Sequence, residues 1–197
     1  MLFGEKSQVH NDRVPPGQTL TQGWPVLHYG SVPHYKDMSQ WDLKIFGEVE
    51  QDIALSFDEF MALPRKEFRN DIHCVTTWSK LDNVWEGVAV SEIMSNVRLR
   101  PEATHVMLHA EQGWTTNLPL QDFLMDTSFF GIKHGGEPLS PDHGYPVRMV
   151  VPHLYFWKSA KWLRGIEFMS KDKPGFWERN GYHMYGDPWL EQRYDFD

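Results

Sequence analysis

The hydrophobic pattern of this 197-residue chain changes period every few residues, and no helical or strand signal lasts long. From Trp41 the residues alternate through Leu43 and Ile45 and stop at Gly47, which predicts a half-buried strand. Ser56-Phe57-Asp58-Glu59 is a capping-box sequence that opens a short helix to Leu63, and Pro64 closes it. Two more short helices are expected at Ser91–Val97 and Leu120–Leu124, and strands at 71–77, 104–110, 146–151 and 163–169. Short helices scattered among strands point to a mixed α+β domain rather than regular βαβ winding. Residues 10–35 mix turn formers and aromatics without a period, so they are expected to form an extended arm laid on the domain and buried by its aromatics. The organisation expected is one domain, with an N-terminal arm over 1–40, a core over 41–170 and an aromatic tail over 171–197 that wraps the surface or covers a cleft.

Nineteen Lys+Arg against 27 Asp+Glu give a net charge of -8. A general nucleic-acid or anionic-membrane binder needs a basic footprint, so those classes are excluded and any anion site must be local. The single cysteine, Cys74, excludes an intramolecular disulfide and multi-cysteine clusters, and fits a reducing compartment. The start, MLFGEKSQVH, has no apolar leader core, and no apolar run is long enough to span a membrane. A cytoplasmic protein is expected.

Cys74 lies in Asp71-Ile72-His73-Cys74-Val75-Thr76-Thr77-Trp78-Ser79-Lys80, read as a strand with a polar end. A thiolate there suits a nucleophile or a soft metal ligand, activated by His73 or Lys80 if the fold brings either close. The segment from His143 to Ile166 carries Arg148, Lys158, Lys161 and Arg164 and no acidic residue. Lys158 and Lys161 flank Ser159-Ala160, so backbone N–H groups, a hydroxyl and an ammonium are placed to meet on one phosphate. His105 and His109 share one face of the strand at 104–110, where hydrogen-bonded histidines are favoured over a two-histidine metal site.

These stretches together resemble the molybdopterin-binding domain of the sulfite oxidase family, in particular its small stand-alone bacterial members. The likeness runs from Val14-Pro15-Pro16-Gly17 to Gly186-Asp187-Pro188-Trp189 and is most specific at Asp71–Lys80, at Gly136-Glu137-Pro138-Leu139 with His143-Gly144, and from Val151-Pro152-His153 to Lys158-Ser159-Ala160-Lys161-Trp162-Leu163. The resemblance implies a mixed-sheet fold and a molybdopterin cofactor whose molybdenum is held by Cys74. It implies that His28, Ser31, Val32, His109, His143, Arg148, Ser159, Ala160 and Lys161 contact that cofactor. His73, Trp78, Lys80 and Trp114 are candidates for the substrate pocket. The arginines that read sulfite in the family are replaced here by Ser79 or its neighbours and by Leu27, and the active-site tyrosine by Ile132. Oxygen-atom transfer with an S- or N-containing small molecule is therefore expected, with reduction of an S-oxide or N-oxide slightly favoured over sulfite oxidation. No segment recognisably binds flavin, haem or nicotinamide, so a separate electron-transfer partner is implied. The alternatives are a thiol enzyme with Cys74 as nucleophile and a noncatalytic anion-binding module on the Lys158/Lys161 turn.

Overall fold

The structure, a computed structural model, describes residues 12–197. The first eleven residues, which include the start MLFGEKSQVH read above and the beginning of the arm, lie outside the described residues. The strands form two sheets. The six-stranded sheet contains β1 (Thr19–Leu20), β4 (Lys66–His73), β5 (Trp78–Ala89), β8 (Phe129–His134), β9 (Glu137–Pro138) and β10 (Arg148–Val150). Strand β5 is its hub, parallel to β1 and antiparallel to β4 and β8. The five-stranded sheet runs β3 (Ile53–Ser56), β2 (Asp42–Gly47), β11 (Leu163–Met169), β6 (His105–Ala110), β7 (Thr115–Pro119). Its β11 lies parallel to β2 and antiparallel to β6.

The main core draws on both sheets. Leu43 and Ile45 of β2, Val106 and Leu108 of β6 and Ile166 and Phe168 of β11 share one buried cluster with Val88, Phe130 and Met149 of the six-stranded sheet. A second cluster, in which Phe68 and Phe129 stack at 3.9 Å, covers the other face of the six-stranded sheet, and Trp24 of the arm packs against it. Each helix spans four or five residues: α1 (Phe57–Met61), α2 (Val90–Met94), α3 (Leu120–Phe123) and α4 (Phe176–Arg179). Helices this short are held by packing rather than propensity. The capping box is formed as expected, with Ser56 Oγ accepting from Glu59 N and Glu59 Oε2 from Ser56 N, and it turns Phe60 into the core.

The strand expected at 71–77 ends early. β4 stops at His73, and Cys74–Thr77 form the connection to β5, closed by Cys74 N donating to Trp78 O at 2.8 Å and by Thr77 at φ 73°. A tight return of this kind gives the backbone polar groups local partners instead of a ladder. The arm has the expected irregular course, yet Tyr29 is 65% exposed, so its aromatics bury it only in part. The tail contains the short helix α4.

Candidate functional site

A cavity of about 290 Å³ opens where the Cys74 turn, the arm, the β6–β7 corner, the segment 143–162 and the tail converge. The turn carries Cys74, Val75, Thr76 and Trp78 into its wall. Both ends of the chain pin that turn. From the arm, Gln18 Nε2 donates to Cys74 O at 3.1 Å, while Gln18 Oε1 accepts from Ser79 Oγ. From the tail, Arg193 Nη1 donates to Val75 O at 2.8 Å, with its guanidinium 5.0 Å above the Tyr155 ring. Cys74 Sγ sits 3.1 Å from Thr76 Oγ1. Burial pushes the Cys74 thiol up, against the hydrogen bonds of Thr76 and the charges of Lys161 and Arg193. A raised thiol is a poor free nucleophile.

Opposite the turn stand two cations. Arg148 is fully buried, and its guanidinium donates to His143 O at 2.9 Å and Ser159 O at 2.8 Å while lying 4.2 Å over Phe156. Lys161 Nζ donates to Leu27 O at 2.9 Å and Asp142 O at 2.6 Å. Among the described residues neither forms a salt bridge. Burial pulls Arg148 down to about 9, and burial with the Arg148 charge pulls Lys161 down to about 7. Burial, then the same two charges, holds His143 at about 4. His143 is therefore neutral, donating from Nε2 to Trp24 O and accepting at Nδ1 from Ser140 Oγ. Gly144, at φ 109°, lets Arg148 and Lys161 close together, since a Cβ there would meet the Cβ of each at 3.1 Å.

The basic segment thus divides. Lys158 does not face the cavity: it is buried against Glu178 at 2.7 Å, so it takes no part in a phosphate turn with Lys161. Arg164 is neutralised by Asp42 and Glu111. Only Arg148 and Lys161 are left for an anion.

Of the residues singled out in the sequence, His28, Cys74, Trp78, Trp114, His143, Arg148, Ser159, Ala160 and Lys161 line the cavity. Others do not. His73 is sealed behind the turn, donating from Nδ1 to Ser79 Oγ at 2.8 Å, and burial holds it neutral with a pKa of about 4. Lys80 lies on β5 beyond the turn, its carbonyl taken by Asn83 Nδ2. Ser31 is exposed and bonded by Gln112, and Val32 beside it is outside the wall. Strand alternation turns His109 away and Ala110 inward; His109 Nε2 instead meets Glu167 Oε2 at 2.8 Å and its ring packs on Phe46. With His105 directed toward Asp172, the pair makes no two-histidine site. Sequence reasoning missed Trp24, Tyr29, Thr76, Trp157, Trp162, Trp177 and Tyr182. Their signal was the aromatic surplus, since six of the nine tryptophans line this one cavity.

The wall fits a phosphate-bearing group that brings its own metal ligands. The buried Arg148 and the half-buried Lys161 lack carboxylate partners. Trp78 Nε1, Trp114 Nε1 and Thr115 Oγ1 are buried without a hydrogen-bond partner. Among the described residues no three His, Cys, Asp or Glu side chains gather as a metal site, which leaves Cys74 as the one soft donor in the wall.

The comparisons agree with this chemistry. The family model described as "Oxidoreductase molybdopterin binding domain" matches residues 29–177. The chain is 57% identical, over the whole of both sequences, to the "uncharacterized oxidoreductase YuiH" of Bacillus subtilis (strain 168). It is 27% identical to the protein-methionine-sulfoxide reductase catalytic subunit MsrP of Campylobacter jejuni, the match covering 74% of this chain and 54% of that one. It thus spans about half the length of that relative. The sulfane dehydrogenase SoxCD of Paracoccus pantotrophus shares the fold, with a TM-score of 0.65 at 18% identity, covering 91% of this chain and 58% of that one. Just over three quarters of the sequence lies within the family match, and the chain belongs to the molybdopterin-binding oxidoreductases of the sulfite oxidase family, as an enzyme that uses molybdopterin and molybdenum.

Proposed function

We propose that the cavity holds the molybdopterin cofactor with Cys74 Sγ on the molybdenum, and that the enzyme reduces a neutral S-oxide or N-oxide. The observation that carries this reading is the meeting in one cavity of a soft sulfur donor, the buried Arg148 and the half-buried Lys161, both cations without acidic partners. Arg148 has five N–H donors and spends part of them on carbonyls, and Lys161 has three and spends two. The remainder are free for a pterin phosphate, beside the Ser159-Ala160 backbone, with His28 and the neutral His143 lining the same wall. When bound, the cofactor supplies a centre that exchanges two electrons together with one oxygen atom. The protein's own share is to fix the sulfur through Gln18 and Arg193, to grip the phosphate and to exclude water with Trp114, Trp157, Trp177 and Tyr182.

Among the described residues Arg148 and Lys161 are the only lysine or arginine side chains in the cavity wall, so that wall presents no third one for a sulfite dianion. A neutral oxide suits such a surface. The relatives named as protein-methionine-sulfoxide reductases point the same way. Reduction of an S-oxide takes up two electrons and two protons and releases a thioether and water. The electrons then come from a separate partner, and the free thiol fits a reducing, cytoplasmic setting. Among the described residues no helix is long and apolar enough to cross a membrane.

The test is metal and pterin analysis of protein purified from a molybdenum-competent host, followed by assays of sulfoxides, N-oxides and sulfite with an artificial electron carrier. Stoichiometric molybdenum that is lost in Cys74→Ala, with sulfoxide turnover exceeding sulfite turnover, is the expected result. Fully active protein lacking both metal and pterin overturns the reading.

A further inference from the structure

We propose that Thr76 is a positioning residue for Cys74, its hydroxyl donating a hydrogen bond to the cysteine sulfur and so raising the reduction potential of the metal held there. The inference rests on the cofactor reading above. Thr76 Oγ1 lies 3.1 Å from Cys74 Sγ, and both residues line the cavity. A metal-bound thiolate carries no proton, so in that state the hydroxyl must be the donor. Thr76 Oγ1 makes no other side-chain hydrogen bond among the described residues, which leaves its proton for the sulfur.

The turn makes this contact a fixed one. Cys74 N is tied to Trp78 O at 2.8 Å, Thr77 N to Cys74 O at 3.0 Å and Thr77 Oγ1 to Thr76 O at 2.7 Å. Gln18 and Arg193 hold the carbonyls of Cys74 and Val75 from outside. Thr76 is also β-branched, which narrows its χ1 choices. A donor on a ligating thiolate draws electron density from it. It therefore stabilises the electron-rich reduced metal more than the oxidised one, and the potential rises. For an enzyme that must accept electrons before it reduces an oxide, that is the useful direction.

The experiment is a potentiometric titration of the molybdenum, followed by electron paramagnetic resonance, in the loaded wild type, Thr76→Val and Thr76→Ser. The expected result is a shift to lower potential in Thr76→Val and the wild-type value in Thr76→Ser, at equal molybdenum content. Equal potentials in all three, or a rise in Thr76→Val, overturn the assignment while leaving the cofactor reading intact. Thr76→Ala removes the same hydroxyl and takes the place of Thr76→Val if that variant does not load. If neither loads while Thr76→Ser does, the hydroxyl holds the metal rather than tunes it, and the proposal fails. Wild-type protein free of molybdenum defeats the cofactor reading itself.

Discussion

The ammonium of Lys158 lies 2.7 Å from Glu178 Oε1, and both side chains are sealed from solvent. Lys158 also donates to Asn117 Oδ1 at 2.8 Å and Met184 O at 2.6 Å, while Glu178 Oε1 accepts from Trp157 Nε1 at 2.9 Å and Thr116 Oγ1 at 3.3 Å. The pair thus ties β7, the Trp157 segment and the tail together directly behind the cavity wall.

Removing one member of such a pair strands the other as a buried charge. Lys158→Met is expected to lower unfolding stability by about 3–5 kcal/mol, and the double variant with Glu178→Leu to recover much of that loss. Urea unfolding of the two variants checks both values. A single variant within about 1 kcal/mol of wild type would show that the pair does not hold the tail.

Lys161 differs because its partners are carbonyls, and its third N–H is open to the cavity. A charge-assisted hydrogen bond to a phosphate is worth roughly 1.5–3 kcal/mol, or about a tenfold to hundredfold change in affinity. Lys161→Met is expected to purify with a correspondingly smaller share of pterin and molybdenum, measured per mole of folded protein. Occupancy equal to wild type would remove Lys161 from the cofactor grip.

How far the sequence foretold this site depends on whether a signal was local. The capping box at Ser56 and the alternation of β2 depend on neighbours a few residues apart, and both formed as read. Strand β5 was not anticipated, although it is the longest, because its burial alternation is broken near Asp82, which takes φ 56°. The basic segment showed its charges but not their partners. Glu178 and Asp42, which neutralise Lys158 and Arg164, are brought in by the fold from α4 and β2. His109 is read as a cofactor contact from the resemblance, whereas which face of its strand meets the cavity is set by the fold, which turns it to Glu167 and puts Ala110 in the wall. The lone Cys74 and the motifs around it were legible because that chemistry is concentrated in one turn.

His134 reports on packing at the back of the site. Its ring lies 4.5 Å from Trp24 and 4.6 Å from Trp85, and its Nε2 donates to Asn83 Oδ1, whose own amide is committed to Asn70 and Lys80 carbonyls. Burial, with the charges of Lys80, His143 and Arg148, brings its pKa down to about 4. In the unfolded chain the group protonates near pH 6.5, so between pH 6.5 and 4 the unfolded state binds more protons. Stability from this group is complete above pH 6.5 and is lost as pH falls through that window, by ~3 kcal/mol at most. In His134→Gln the fall in urea midpoint from pH 7 to pH 4.5 should be smaller than in wild type. An identical fall would mean that His134 titrates normally in the folded protein.

Gly144 is where the two cations meet. It holds φ 109°, and a side chain there would press at 3.1 Å on the Cβ atoms of Arg148 and Lys161 and at 3.2 Å on the Lys161 backbone. Gly144→Ala therefore faces both a disfavoured conformation, costing of the order of 1–3 kcal/mol, and a clash with atoms that cannot swing aside. The segment between Pro141 and Lys161 must spread, which separates the free N–H groups of Arg148 and Lys161. Reduced cofactor content is expected to accompany the stability loss, whereas a surface glycine such as Gly135, with nothing within 4 Å of its notional Cβ, should show only the conformational cost when made Ala. Measuring molybdenum content beside thermal unfolding for both variants separates the two effects. Gly144→Ala protein with wild-type cofactor content would show that the spacing of the cations does not set the phosphate grip.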